Sequence, residues 1–528
     1  MNSFKKPSLR EFIFIILITT FLLLITRFDY RLDIPDTWNT GDDASYYFHS
    51  KTISADFDFN YDNQITSTTG NFIRDDGRPV PYHPIGVGIL SSPFMLFGNF
   101  IEKISIESNI YPKPHYFLYS LSAIFYFFVT IFILQKILIK KNNNPVFMYL
   151  LFFGSGATYY AFERYSMTVV YEIFSVAFLM YIASRLEDNK KSTLFFVGYL
   201  PFIFLSIRWT NYYFVLIPIF YLLITDKVNL IKKVLTNINF YIGNLFGLMS
   251  FLLHTKVVYG FYALNPSKVY NQGILNPYDQ QVFQIFNSTQ DFFDTLILMF
   301  NTLFLTIFSQ EFGLIYFTFP VFLFVISPIY FLAKKEFNLF FISSLMISVN
   351  FMVIVLWQSA ASGYGFRYLF SYIPLGILLI YKLFEEKTIK ILSLSLGLLG
   401  FVGFLLFETS VTTSLSQGIN VFGTEQGFTQ PKYLSGLVGS IFQFSSYLVI
   451  FATSYLGIII LKILSALFNK EDLLTYLEVF SNDTEKIKYF FQISSDYDWQ
   501  NLIILIFFYI AISHYLIKNY YKIKNKSI

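Results

Sequence analysis

Phe12-Ile13-Phe14-Ile15-Ile16-Leu17-Ile18-Thr19-Thr20-Phe21-Leu22-Leu23-Leu24-Ile25 carries no charge, and the polar stretch Thr40-Gly41-Asp42-Asp43-Ala44-Ser45-Tyr46-Tyr47-Phe48-His49 follows it closely. Lys5, Lys6 and Arg10 precede the apolar run, which gives it the charge and hydrophobicity of a signal peptide. Arg27-Phe28-Asp29-Tyr30-Arg31 stands where a small-residue cleavage site would be needed, so the run reads as an uncleaved first span. Its basic flank places the N-terminal end in the cytoplasm. The polar loop from Asp29 to about Pro84 then faces outward, and it contains two adjacent carboxylates, Asp42 and Asp43.

Composition supports the same class. With 55% hydrophobic and 14% charged residues and a mean hydropathy of +0.52, the chain is too apolar for a water-soluble globular protein. The aromatic share of 21% rests on Phe and Tyr, and many tyrosines close apolar runs as interfacial anchors do. The net charge of +4 gathers in short Lys/Arg clusters, a topological signal that leaves nucleic acid without a binding surface. With no cysteine there is no disulfide framework, thiol catalysis or thiolate metal site.

Outward from the first span, Pro84 to Phe94 is apolar but punctuated by Gly and Pro, which predicts a short interfacial helix. Further spans are expected at 116–139, 146–161, 167–183, 194–207, 212–224, 240–258, 314–332, 340–357, 372–384, 391–407, 441–468 and 502–517, with 296–308 interfacial or re-entrant. The expectation is an all-α polytopic membrane protein of about 13 spans (11–14), every long polar loop on the outer side. Residues 1–470 form one module, whose first outer loop, 29–115, carries the acidic pair. Residues 471–528 add a small amphipathic insert and the last span.

Paired carboxylates at a membrane surface suit general-base work, one taking a proton from an acceptor while the other orients it or binds a cation. Acidic pairs also occur in ordinary solvated turns. Asp56-Phe57-Asp58 has the Asp-x-Asp spacing of a divalent metal–nucleotide diphosphate site, a short pattern with no nucleotide-binding domain around it. His83, in Pro81-Tyr82-His83-Pro84, could meet a phosphate or a developing charge. Arg367 follows Gly363-Tyr364-Gly365-Phe366, where glycines admit a ligand to the backbone and a guanidinium can grip phosphate in two-pronged fashion; snorkelling to the interface is the plainer alternative. Arg208, between two short spans, is expected to be drawn into protein. Glu163 and Arg164 read as a structural ion pair. Walker A, Rossmann and Ser-elbow sequences do not occur, so ATP-driven pumping and serine hydrolysis find no support.

Together these features resemble the multi-spanning C-type (GT-C fold) glycosyltransferases, the superfamily of the protein O-mannosyltransferases and aminoarabinose transferases. Gly41-Asp42-Asp43-Ala44-Ser45-Tyr46-Tyr47 is similar to the family's Gly-Asp-Glu followed by Tyr, with Asp43 in place of Glu. Asp56-Phe57-Asp58-Phe59-Asn60 resembles the acidic stretch that follows, and Tyr82-His83-Pro84-Ile85-Gly86 the exit from that loop. Ile207-Arg208-Trp209-Thr210-Asn211 is similar to an Arg-Pro-Thr-Asn element, and Ser362-Gly363-Tyr364-Gly365-Phe366-Arg367 to a Ser-Phe-Gly-x-Arg loop. Val169 stands where many bacterial members have His.

The resemblance implies inverting transfer of a sugar from a polyprenyl-phosphate donor to a lipid, glycan or protein acceptor on the extracytoplasmic face of a bacterial or archaeal cell membrane. It implies Asp42 as base. Asp43 is the second catalytic candidate, and Arg367, His83, Tyr82, Arg208 and Tyr364 would bind the lipid phosphate and substrates. No cofactor is required by this arrangement; a divalent cation, at Asp56 and Asp58, is the alternative. Competing readings are a transporter or flippase of lipid-linked saccharides, a surface-polysaccharide polymerase and a non-catalytic scaffold. A carrier would place ionisable groups at mid-membrane on broken helices, whereas most acids here fall in outer loops.

Overall fold

The computed structural model describes residues 9–26, 31, 42–65, 71–105, 113–139, 145–188, 190–264, 318–357 and 367–406, with isolated positions beyond these. Tyr364, the stretch 296–308, the expected outer loop 408–440, the expected spans 441–468 and 502–517 and the insert 471–499 lie outside the described residues, isolated positions aside. Among those described the chain is mostly helical, with one small hairpin, β1 (Phe72–Ile73) against β2 (Pro79–Val80).

Helix α1 (Leu9–Ile25) is the apolar run of the first expected span. The acidic pair, expected in a loop, instead opens helix α2 (Asp42–Lys51), where carboxylates in the first turn complement the positive end of the helix dipole. A π-turn (Thr52–Asp56) closes it and ends in Phe57 with a left-handed φ of 58°. The expected short helix after Pro84 is longer: α3 runs from Gly86 to Ile104, 19 residues, with Pro93 inside. Proline forfeits one backbone bond there. Packing against α2 and against α4 (Pro114–Leu138), with Val87, Ser91, Met95 and Gly98 buried, carries the helix through it.

The expected span 146–161 is two helices, α5 (Val146–Phe153) and α6 (Ala157–Phe162). The chain breaks at Gly154-Ser155-Gly156, where Gly156 adopts φ +80°, a conformation costly for any residue with a Cβ. Then follow α7 (Val169–Ser184), α8 (Lys191–Leu205), the 3-10 turn Asn211–Leu216, α9 (Ile217–Ile224), α10 (Val228–Leu235) and α11 (Ile238–Tyr259). After the undescribed segment come α12 (Phe319–Ala333), α13 (Phe337–Trp357), the 3-10 turn Arg367–Tyr372, α14 (Ile373–Leu383) and α15 (Glu386–Leu406). Two helical stretches among the described residues, Pro114–Leu138 and Val169–Asp188, are long and apolar enough to cross a membrane.

Helix α7 is the post of the assembly. It packs against α4, α6, α8, α9, α14 and the turn 367–372, and a helix apolar on all sides is one that belongs inside. The approach of α3 to α2 is equally specific. A Cβ at Gly88 would lie 2.4 Å from the His49 Cβ and 2.9 Å from its carbonyl carbon. Gly88→Ala should therefore force the two helices apart and cost about 1–3 kcal/mol, the usual range for overpacking. A thermal-unfolding midpoint of the detergent-solubilised variant equal to that of the unaltered protein would show that the helices do not meet there.

Candidate active site

Consecutive residues on an α-helix point about 100° apart, so Asp42 and Asp43 cannot serve the same partners. Asp42 Oδ1 accepts from His83 Nε2 at 3.1 Å and its Oδ2 from Arg367 Nη2 at 3.1 Å. Asp43 Oδ2 accepts from Arg164 Nη2 at 2.8 Å, and its Oδ1 from the Ser166 hydroxyl. Burial works to raise the Asp42 carboxyl, but His83, Arg367 and Arg208 outweigh it and hold Asp42 well below the usual carboxylate range. It is an ionised group at rest.

The loop that presents His83 is pinned through its backbone. The His83 carbonyl accepts from His49 Nε2 at 2.8 Å and from the Tyr259 hydroxyl at 2.8 Å. With Nε2 donating, His49 Nδ1 is the acceptor for the Tyr61 hydroxyl at 2.7 Å. Complete burial pushes His49 down to about 3, so it stays neutral and keeps this tautomer at physiological pH. Tyr82 contributes its carbonyl, which accepts from Trp209 Nε1 at 3.4 Å. Downstream, the Gly86 N–H donates to the Ser206 carbonyl at 2.7 Å and ties the loop exit to the end of α8.

One more guanidinium, that of Arg208, completes the cluster. Arg208 Nη1 pairs with Glu172 Oε2 of α7 at 3.1 Å, with both side chains buried, and its guanidinium lies 4.7 Å from the centre of the Tyr368 ring. The Arg367 guanidinium lies 5.4 Å from the same ring. Arg367 Nη1 is turned to the thioether of Met167 at 3.2 Å, a weak acceptor, and its buried Nε has no acceptor among the described residues. Burial tends to lower Arg367, yet Asp42 and its other neighbours raise it above the ordinary value. Arg367 in turn opposes the charging of both Arg164 and Arg208.

Asp42, Asp43, His83, Arg208 and Arg367 therefore converge, and Tyr82 joins through its backbone. Asp56 and Asp58 do not: both are exposed, Asp56 bound by Asn63 and Gln64 and Asp58 by the Asn60 N–H. No group of three or more His, Cys, Asp or Glu side chains suited to a metal ion occurs among the described residues. Arg164 is corrected from a partner of Glu163 to the partner of Asp43, a residue 121 positions away. Glu172 and Tyr368 went unnoticed in the sequence, although an acid inside an apolar run is itself a signal. No protein-family model matches the chain, and no curated protein or solved structure matches it either.

The Arg208–Glu172 pair offers a stability measurement. Removing one partner of a buried pair leaves an uncompensated charge, at about 3–5 kcal/mol, whereas an apolar replacement of both is close to neutral. Arg208→Ala should lower the unfolding midpoint sharply. Arg208→Met combined with Glu172→Leu should recover most of it, and equal midpoints for Arg208→Ala and the unaltered protein would mean that the pair is not formed.

Proposed function

We propose that this chain is a multi-pass membrane glycosyltransferase of about 13 spans that moves a sugar from a polyprenyl-phosphate donor to an acceptor on the extracytoplasmic face, with inversion and with Asp42 as general base. One observation carries the reading: Asp42 is held between His83 and Arg367, while Arg367 keeps one prong on a sulfur and its Nε without an acceptor among the described residues. A buried guanidinium with donors to spare suits an incoming phosphate, whose oxygens make charge-assisted bonds far stronger than any to a thioether. Arg367 repels both Arg164 and Arg208, and an anionic ligand between them would relieve that repulsion.

In this reaction an acceptor oxygen attacks the anomeric carbon from the face opposite the phosphate. Its proton passes to Asp42, and the bond between the anomeric carbon and the phosphate oxygen breaks. The electron pair leaves on the polyprenyl phosphate, whose charge Arg367 neutralises, with Arg208 nearby. Asp42 is a weak base while Arg367 and His83 both hold it. As the donor phosphate draws Arg367 away, one of the groups that depress Asp42 is withdrawn, and its proton affinity rises toward a useful value. Asp43, fixed by Arg164 and Ser166, is placed to orient the acceptor.

Radiolabelled polyprenyl-phosphate sugars, tried as a panel with purified protein, test the activity directly. Once a donor is found, Asp42→Asn should lower single-turnover transfer by about 10²–10⁴-fold with donor binding retained, and Asp43→Asn should lower it less. Near-normal transfer by Asp42→Asn and loss in Asp43→Asn would exchange the two roles; normal transfer by both and by the double variant would remove α2 from the chemistry.

The pH profile follows from the same geometry. Because the free protein holds Asp42 ionised below the ordinary carboxylate range, the acid limb of kcat/KM should lie below that range as well. His83→Gln removes a group that depresses Asp42 and should move the limb upward. An acid limb that stays in place in this variant would separate Asp42 from the titration.

Sidedness is checked with introduced cysteines. Asn63 is expected to label from outside and Lys335 from inside, and labelling of Asn63 only from the cytoplasm would end the proposal.

A further inference from the structure

Tyr368 is the residue on which two of the three guanidiniums meet, at 4.7 Å for Arg208 and 5.4 Å for Arg367. On the reading of the site as a phosphate-binding centre, on which this inference rests, we propose that Tyr368 is a positioning residue whose ring holds Arg208 and Arg367 as a two-pronged cradle for the lipid phosphate.

Each arginine has one carboxylate, and only one of those anchors is permanent. Arg208 keeps Glu172, which is buried on α7. Arg367 is bound to Asp42, the group that must let it go if phosphate is to be gripped and a base set free. After that exchange the neighbours left to the Arg367 side chain among the described residues include the Met167 sulfur, Tyr160, and Tyr368 with both its ring and its hydroxyl. The sulfur is too weak an acceptor to orient a guanidinium. The electron-rich face of an aromatic ring attracts both cations and offsets their repulsion without competing for the N–H groups that phosphate needs.

The ring can do this because its backbone is fixed. Tyr368 lies in the 3-10 turn Arg367–Tyr372, in which Leu369, Phe370, Ser371 and Tyr372 are buried. The Tyr213 hydroxyl donates to Ser371 Oγ at 2.5 Å, and that of Tyr372 to the Met346 carbonyl. The same turn packs against α7, which bears Glu172.

Farnesyl phosphate and farnesol, titrated into the full-length protein in detergent, distinguish positioning from a general packing role. Tyr368→Phe keeps the ring and should bind farnesyl phosphate as the unaltered protein does. Tyr368→Leu and Tyr368→Met should bind it about tenfold more weakly, while farnesol binding and the unfolding midpoint stay unchanged. In an Arg208→Met, Glu172→Leu background the cost of Tyr368→Leu should shrink, since one of the two cations it holds is gone. Unaltered farnesyl phosphate binding by both Leu and Met variants overturns the positioning role and leaves the phosphate reading standing. Parallel loss of farnesol and farnesyl phosphate would also overturn it, by assigning the ring to packing. An unaltered protein that binds farnesyl phosphate no better than farnesol overturns the phosphate reading, and this inference with it.

Discussion

The ion pair between Asp42 and Arg367 joins the first turn of α2 to the turn that leads into α14, residues far apart in the chain, and the rest of the site is arranged around it. A buried guanidinium left without acceptors is costly, and the half-buried Asp42 carboxylate supplies the charge that Arg367 needs. The pair therefore forces the N-terminal and C-terminal parts of the described core into one arrangement. His83 takes the other carboxylate oxygen, so its loop must be held as firmly as the helices. His49, Tyr259 and Trp209 do this through the His83 and Tyr82 carbonyls.

Helix α7 and the turn before it carry the opposite wall. Arg164, Ser166 and Met167 precede the helix and Glu172 lies one turn into it, which gives one short segment contacts to Asp43, Arg367 and Arg208. Such a concentration of charge in the interior costs stability compared with an apolar core of the same shape. Its position at the start of the central helix, where six neighbouring elements hold the backbone, is what makes a tight charge geometry sustainable.

Arg31 does similar work outside the acidic cluster. Fully buried, it donates to the Ser120 carbonyl at 2.8 Å and to the carbonyls of Ala161 and Phe162 at the end of α6, and its guanidinium lies 4.3 Å from the centre of the Tyr165 ring. Burial pushes it down to about 10, still high enough to remain charged. Tyr165 belongs to a group with Tyr47, Tyr116 and Tyr119 in which neighbouring ring centres are 5.5–6.4 Å apart. Tyrosines that close apolar runs read as interfacial anchors; here these four are core residues, and Tyr116 and Tyr165 share a hydrogen bond at 2.5 Å. An aromatic ring with one polar atom fits either place, and only the neighbours decide.

Local sequence determined much of this protein. The apolar runs 12–25, 116–139 and 167–183 predicted helices, and helices stand at 9–25, 114–138 and 169–184, because an apolar segment of that length satisfies its backbone internally. Arg208 between two short apolar runs required a buried partner, and the Asp42-Asp43, His83 and Arg367 elements were visible as polar exceptions in an apolar chain. Tertiary structure decided the rest. It turned the acidic pair into a helix start, split 146–161 at Gly154-Ser155-Gly156, drew α3 through Pro93, and chose Asp43 over the adjacent Glu163 as the partner of Arg164. The physical reason is range: helix formation depends on residues three or four apart, which a sequence displays, whereas a buried charge takes whichever opposite charge the packing of distant helices brings within about 3 Å.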